Sequence, residues 1–578
     1  VDLNATALAG SGSVDPNGYE WYLNNVLIVG AFTSVLTATA PGDYKAKAKN
    51  TNGCISTAFS NTITLAMDNS PLNGDYTIGV GPASCTNYLS FATAITDLNN
   101  RSISGDVRFT IPAGYTETVN SPGLVLGGKL VLGVPILNNA TNSGLTLSFS
   151  KSGIGANPLL TAFTGGASIP TQAVPDGIFK IRGLNNVSIT EIDLTENAAN
   201  SGNALMDFGY GIFRYTATDG AQNNLIQNCK ITLNKANSLA GTAANLMSDG
   251  ATGILVHNAV DTNAAVLITP TNATGSNSNN KFYGNTITNV HSGIWISGYN
   301  ALSPFTFADT GNDVGGVSDV TGNTIVNYGN AGDATVATGI RLIHQWNVNA
   351  SYNSINNNNG SGVNTTNNLN GILGTGGTSA NATINNNTIV INSNAPAGQS
   401  AVGIDNALGN TAASNTVNIN NNNITGSLLL TVSSNPSFTG IRNVAAASIV
   451  NISGNNIHDI SLAGPGTFSG ISSVATIPLL NANSNIISGN SKTSTGTMNG
   501  MTLGAPTVAN INGNTVSNNT ITGGGVACIL NCIISAGAGG SSYTLDGNTI
   551  SNNSITNMSG VAITGTIYGY TNGGSCAT

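Results

Sequence analysis

A Gly-Ile pair recurs down most of the chain, at Gly177, Gly211, Gly253, Gly293, Gly339, Gly371, Gly403, Gly440 and Gly470, followed by Gly500-Met501 and Gly560-Val561. Successive pairs lie 30–46 residues apart, with a last interval of 60 that corresponds to two repeats. A second motif interleaves with it: Asn-x-Ile/Val ends at Ile287, Ile325, Ile355, Ile389, Ile424, Ile457, Val516 and Ile550, with Ser484 in the asparagine place before Ile486. The second motif runs at a mean period of about 33 residues and the first at about 35, so the two share one repeat. One supersecondary unit is therefore stacked many times over.

Within each unit apolar and polar residues alternate and helical spacing is absent, which selects a parallel β-helix over a helical solenoid. Residues two apart in a strand share a face, so the Asn and the Ile of each Asn-x-Ile both point inward. Coils stack about 4.8 Å apart, and inward amides at one turn can donate and accept along the axis as an asparagine ladder. The stretch Val417–Gly426, "VNINNNNITG", then reads with Val417, Ile419 and Ile424 as core and Asn422 as the ladder residue. Its other asparagines face outward or form turns, where left-handed backbone is tolerated.

Composition narrows function. Only 7% of the 578 residues are charged, about one in seven is Asn, and the net charge is -8. Lysines and arginines nowhere cluster, which argues against nucleic acid as a partner. No run of about 18 apolar residues offers a transmembrane span, and no signal peptide is present. The sequence given starts at Val1, which fits a processed form or one segment of a larger secreted protein.

The pattern divides the chain. Residues 1–67 show short alternating runs separated by turns, with Trp21 and Tyr44 as core, the pattern of a small antiparallel sandwich. Residues 68–75 read as a linker, and 76–175 as the β-helix N-terminal cap and first coils. In the cap, "NYLSFATAITDLNN" sets Tyr88, Phe91, Ala92, Ile95 and Leu98 on one helical face, with Thr86 or Asn87 as N-cap. The repeats fill 176–566, and 567–578 reads as a C-terminal extension and a strand donor to the next unit.

Two resemblances attach to these patterns. The W-Y-x-N-N, T-A-x-x-x-G-x-Y and N-x-N-G-C signatures of the first region resemble the immunoglobulin-like (PKD-like) modules of giant adhesins secreted by gliding and related Gram-negative bacteria. That family implies a Cys in an early strand paired with one near the module's end, here Cys54, but no Cys precedes Cys54, so the module looks incomplete at its first strand. The repeat region is similar to right-handed parallel β-helices of the pectin-lyase-like kind, which is the source of the expected handedness. Some eleven or twelve coils are expected, about 55 Å of stack.

That second fold includes lyases and hydrolases of acidic polysaccharides, so catalytic groups must be sought residue by residue. Paired carboxylates, or a base with calcium-holding acids, would carry such chemistry. Neither cluster is visible. The strongest catalytic candidates are Arg341 and His344 of "RLIHQW" with Asp405 of "GIDNA", expected outward and two repeats apart, either as a uronate site or as a solvated surface pair. Asp309 and Asp313 of "FADTGNDVGG" are the metal candidates, with loop-turn formation as the simpler reading. His458 and Asp459 have still less context. A glycan-binding surface would use Trp295, Trp346 and Tyr299, and an outward threonine series for ice binding (Thr286, Thr324, Thr388, Thr515, Thr549) is interrupted by Ser354, Asn423 and Asn456.

Six cysteines suit an exported protein. Cys229 occupies a ladder position and Cys528 the Ile slot of the missing Gly-Ile repeat, both as inward thiols; Cys532 lies too far along the same strand to bond Cys528. Cys85 has no evident partner. Reading "SCAT" at the end into "VDLNATA" at the start gives a composite like the missing first strand, which makes Cys54 and Cys576 the candidate inter-unit contact, in tandem polypeptide or between subunits; the alternative is that "SCAT" simply begins an independent downstream module. The resulting expectation is an all-β, non-enzymatic extracellular structural protein without cofactor, a repeating segment of a surface adhesin or filament. Its expected partners are copies of itself head to tail, adjoining repeats, or surface glycans. A polysaccharide lyase or hydrolase and a glycan-binding module are the alternatives.

Overall fold

The computed structural model describes residues 2–573 apart from 7–12, 39, 66–69, 129, 132–133, 136, 138–143, 166–173, 237–250, 330–335, 358–367, 394–399, 429–436, 524–527, 538–540 and 558–564. Two compact units result, Val1–Ser70 and Pro71–Thr578.

In the first unit, strands β1 (Asp2–Asn4), β2 (Val14–Leu23), β3 (Val26–Leu27), β4 (Val35–Thr37), β5 (Gly42–Asn50) and β6 (Ile63–Leu65) form two antiparallel sheets, β1-β4 and β3-β2-β5-β6. Trp21 and Tyr44 are core, as alternation requires, and each satisfies its polar atom locally. The Trp21 indole N–H donates to Thr33 O (2.9 Å) and the Tyr44 hydroxyl to Ala40 O (2.7 Å).

The second unit starts earlier than its punctuation indicates. Strand β7 (Leu72–Ile78) pairs in parallel with Ile103–Pro112, and Leu72 and Ile78 are fully buried. Residues 71–75, read as linker, therefore belong to the first coil, because two aliphatics outweigh the turn residues between them. Helix α1 (Phe91–Arg101) caps this end with Phe91, Ala94, Ile95 and Leu98. Its N-cap is Ser90, in a capping box with Thr93, rather than Thr86 or Asn87, because Asn87–Tyr88 pairs with β7 as a short strand. The Glu117 carboxylate accepts from the Phe91 and Ala92 N–H groups (2.7 and 3.2 Å), placing negative charge at the helix N-terminus.

Three long parallel sheets, of 16, 13 and 15 strands among the described residues, form the faces of a parallel β-helix. Its crossovers take the right-handed sense that twisted strands impose. The 13-stranded sheet runs to Gly565–Asn572, so the first half of the expected C-terminal extension belongs to its last strand.

The ladder is continuous. Asn285, Asn323, Asn353, Asn387, Asn422, Asn455, Asn485, Asn514 and Asn548 follow one another, each Nδ2 donating to the next Oδ1 at 2.9–3.0 Å. Each Oδ1 also accepts the preceding asparagine's backbone N–H, and each second Nδ2 hydrogen goes to a core carbonyl such as Ile226 O or Ala350 O. Both donors and both lone pairs of a buried amide are thereby used. Cys229 begins the column as expected, its N–H reaching Asn285 Oδ1 at 3.1 Å. Ser484 is not the substitute: Asn485 is the ladder residue and Ile487 the core residue, while Ile486 is 42% exposed. Ser484 holds the left-handed bend before it (φ 56°), a place filled elsewhere by Gly284, Asn386, Asn421, Gly454 or Gly513.

The glycine register faces the ladder register. Ile254, Ile294, Ile340, Ile372, Ile404, Ile441, Ile471 and Met501 align across coils. A Cβ on the preceding glycine would lie 2.4 Å from Ile287 Cγ2 at Gly253, 2.6 Å from Ile389 Cγ2 at Gly371 and 2.9 Å from Ile457 Cγ1 at Gly440. The two sheets approach so closely that the Ile of Asn-x-Ile rests on bare backbone. Gly177 and Gly211 fall outside this column, since Gly211 pairs with Lys180 and Gly177 with Phe208; they make room for the Phe208 ring instead. The slot after Gly500 is taken by Cys532, with Cys528 opposite Gly496, and the next by Gly569. Ile533 fills the Ile slot opposite Met501, so Cys528 sits five residues from its expected place, though both thiols are buried. Gly560-Val561 lies outside the described residues.

Candidate functional site

The outer face of the 13-stranded sheet is where the candidate chemistry gathers. Lys180, Gly211, Leu255, Trp295, Arg341, Leu373, Asp405, Arg442, Ser472, Thr502, Ile534 and Thr571 occupy one column in successive coils. Arg341 and Asp405 are therefore on the same face two coils apart, where alternation puts them.

They are not each other's partners. The Arg341 guanidinium lies over the Trp295 ring, 4.2 Å from its centroid, one coil back. Asp405 is held one coil forward by Arg442, in a two-point contact of 2.7 Å (Nε to Oδ1) and 2.5 Å (Nη2 to Oδ2). The hydrogen bonds to Asp405 raise the Arg442 pKa. Asp405 is the one acid of the column among the described residues, so no second carboxylate stands beside it for paired acid–base work. His344 is half-buried against Gly376 of the next coil, and desolvation lowers its pKa. Trp295 and Trp346 are both buried in separate small clusters, Trp295 with Phe208, Phe213 and Leu255 and Trp346 with Ala301, Ala308 and Ala380, and do not form an open sugar platform.

The metal candidates separate. Asp309 is fully buried and paired with fully buried Arg214 at 2.5 Å, and it accepts the Asn277 N–H at 2.9 Å. Asp313 accepts from the Tyr283 hydroxyl (2.5 Å), Asn349 Nδ2 (2.7 Å) and the Gly316 N–H (3.0 Å). Each acid organises its own loop. No group of three His, Cys, Asp or Glu residues able to hold a metal occurs among the described residues.

Two buried charge pairs escape sequence reasoning. Arg214–Asp309 joins residues 95 apart, and Arg182 grips Asp261, 79 residues on, at 2.5 and 2.7 Å. Beside the first pair His257 is buried, its Nε2 3.0 Å from Ala264 O, and burial followed by the nearby Arg214 charge depresses its pKa to about 4. Arg182 and His257 end strands of the 13-stranded sheet and Arg214 directly follows one, but the acids that the two arginines hold lie 79 and 95 residues on, outside both repeat motifs, so the sequence does not pair them. His458 lies against Asp459 (2.7 Å) and Asn423 (2.9 Å) on the outer face of the ladder sheet. The threonine series there is in register from Thr286 to Thr549, broken additionally by Ile486. Cys54 is exposed and unpaired among the described residues; Cys576 lies outside them.

No family model matches the chain, and no curated protein matches it. Among solved structures it is similar to the A-module of the Azotobacter vinelandii mannuronan C-5 epimerase AlgE4, at 12% identity over 83% of this chain and 95% of that one (TM-score 0.27). A Yersinia enterocolitica family 28 exopolygalacturonase matches at 12% identity over 97% of each chain (TM-score 0.27). The Streptococcus pneumoniae surface protein and adhesin PfbA matches at 11% identity over 83% of this chain and 94% of that one (TM-score 0.26).

Proposed function

We propose that the chain is a non-enzymatic, extracellular structural segment of a surface adhesin or filament, an immunoglobulin-like module joined to a β-helix. The observation that carries this reading is where the strongest sequence signals go. The asparagines of Asn-x-Ile, its aliphatics and the glycines of the anchor pairs are consumed by one packing arrangement between coils. The outward acid of the candidate column, Asp405, is committed to Arg442, and the candidate metal acids are committed to loop structure. An amide-rich surface with few charges presents hydrogen-bonding groups without drawing a strongly charged partner. No described helix is long and apolar enough to cross a membrane, in keeping with export.

The alternative, a polyuronate lyase or hydrolase, makes a direct demand on the same column. The test incubates the full chain with polygalacturonate and with alginate, following reducing ends, unsaturated uronate absorbance and C5 configuration by NMR. The proposal expects none of the three to change. Turnover that disappears in Asp405→Asn would overturn it and assign the column to catalysis.

A further inference from the structure

The first unit leaves part of one sheet uncovered. Sheet β3-β2-β5-β6 has four strands and its companion β1-β4 only two, whereas a sandwich buries both inner faces. Beside β1 lies a groove of about 570 Å³, lined at its floor by Tyr19, Trp21 and Ala46 and at its rim by Asn4, Cys54 and Phe59. Phe59 is 40% exposed there and Cys54 presents an exposed thiol.

The edge of that groove is a hydrogen-bonding template. The Ala5 N–H donates to Ser34 O at 2.7 Å, on the β4 side. By alternation the Leu3 N–H points the same way and the Asn4 N–H points out to the opposite edge, where β1 has no strand partner among the described residues. A free strand edge alongside an apolar trough is matched by an extended polypeptide, whose backbone pairs with the edge while alternate side chains enter the trough. Charge narrows the class. Among the described residues Lys47 and Lys49 line the groove and no acidic residue does.

We propose that this groove is a strand-acceptor site, and that its occupant is an extended acidic segment of another polypeptide with small apolar side chains at alternate positions. The site goes beyond the structural role above and stands whether or not the β-helix acts on a glycan.

The test uses the full chain carrying Cys85→Ser, so that Cys54 is the exposed thiol of the described residues, with iodoacetamide labelling read at the Cys54 peptide by mass spectrometry. The probe is a hexapeptide alternating valine with aspartate. At about ten times its Kd it slows Cys54 alkylation about tenfold; the counterpart alternating valine with lysine does not. Asn4→Pro removes the outward N–H without touching the β1-β4 bonds and abolishes protection, while Asn4→Ala retains it. Changing Lys47 and Lys49 together to Glu inverts the preference between the two peptides, which keeps the test decisive if Asn4→Pro disturbs the fold. Equal labelling with and without the acidic peptide would overturn the proposal. So would protection indifferent to both sets of variants, or a Cys54 already unreactive in the free protein, which would mean that the chain closes its own groove.

Discussion

Replacing Asn387 by Ala tests whether the ladder amides hold the coils. Asn387 Oδ1 accepts the Asn353 backbone N–H and Asn353 Nδ2, both at 3.0 Å; its Nδ2 donates to Ala350 O and to Asn422 Oδ1, both at 2.9 Å. Truncation strands the Asn353 N–H, one Asn353 amide hydrogen and Ala350 O, while Asn422 Oδ1 keeps the backbone N–H of residue 387. Three buried groups left unpaired, at about 1–3 kcal/mol each and partly relieved by water entering the vacated space, come to roughly 3–6 kcal/mol. A stack of repeats need not unfold in one step, so hydrogen exchange resolved by peptide is the suitable assay. Exchange in the coils holding residues 353, 387 and 422 should accelerate by about a hundredfold or more. Asn418→Ala provides the comparison. Asn418 forms an outward ladder contact, accepting Asn451 Nδ2 at 2.7 Å, and is half-buried, so its loss should cost about 0.5 kcal/mol. Equal effects of the two substitutions would refute the ladder account.

Other expectations follow from the same geometry. Gly371→Ala places a Cβ 2.5 Å from Gly403 O and 2.6 Å from Ile389 Cγ2, and should destabilise by about 1–3 kcal/mol. In the last coil the nearest atom to a Cβ on Gly569 is Ile550 Cδ1 at 3.8 Å, so Gly569→Ala should be close to neutral when urea titrations of the two variants are compared. His257 carries a pH dependence: its folded pKa, about 4, lies below its ordinary 6.5, so between these values the unfolded chain binds the extra proton. The stability it contributes is fully present above pH 6.5 and is lost as pH falls toward 4, by about 3 kcal/mol. His257→Gln should flatten that part of the profile. Lys492 is buried between Leu462 and Ile521, its ammonium donating to Gly464 O at 2.6 Å, and desolvation lowers its pKa to about 8. Stability should therefore rise with pH from 8 toward 10.5, a slope absent in Lys492→Met.

The stacking was legible because its signal is periodic. Val417, Ile419 and Ile424 are fully buried and Asn422 is a ladder residue, as alternation within a repeat requires. Register slipped where the local sequence offers two equivalent answers: "SNIIS" supplies consecutive isoleucines, and only pairing with Ile457 and Val516 identifies Ile487 as inward. The anchor pairs were legible as a motif but not as a cause. Gly177 and Gly211 share the dipeptide with the column yet serve the Phe208 ring, a distinction that depends on contacts across coils. The site was legible as a face and not as partners. Arg341 and Asp405 share a column, but the neighbours that claim them, Trp295 and Arg442, are chosen by rotamer and reach, which spacing does not encode.

The central claim is that the two registers are two sides of one contact, and a double-mutant cycle on Gly371 and Ile389 tests it most directly. Ile389→Ala alone should cost about 2–5 kcal/mol as a cavity. With that side chain shortened, the added methyl of Gly371→Ala loses its nearest side-chain obstacle. The account predicts that the double variant is more stable than the sum of the single losses by about 1 kcal/mol or more. Strict additivity would contradict it, and would leave the Gly-Ile and Asn-x-Ile motifs as independent features that merely share a period.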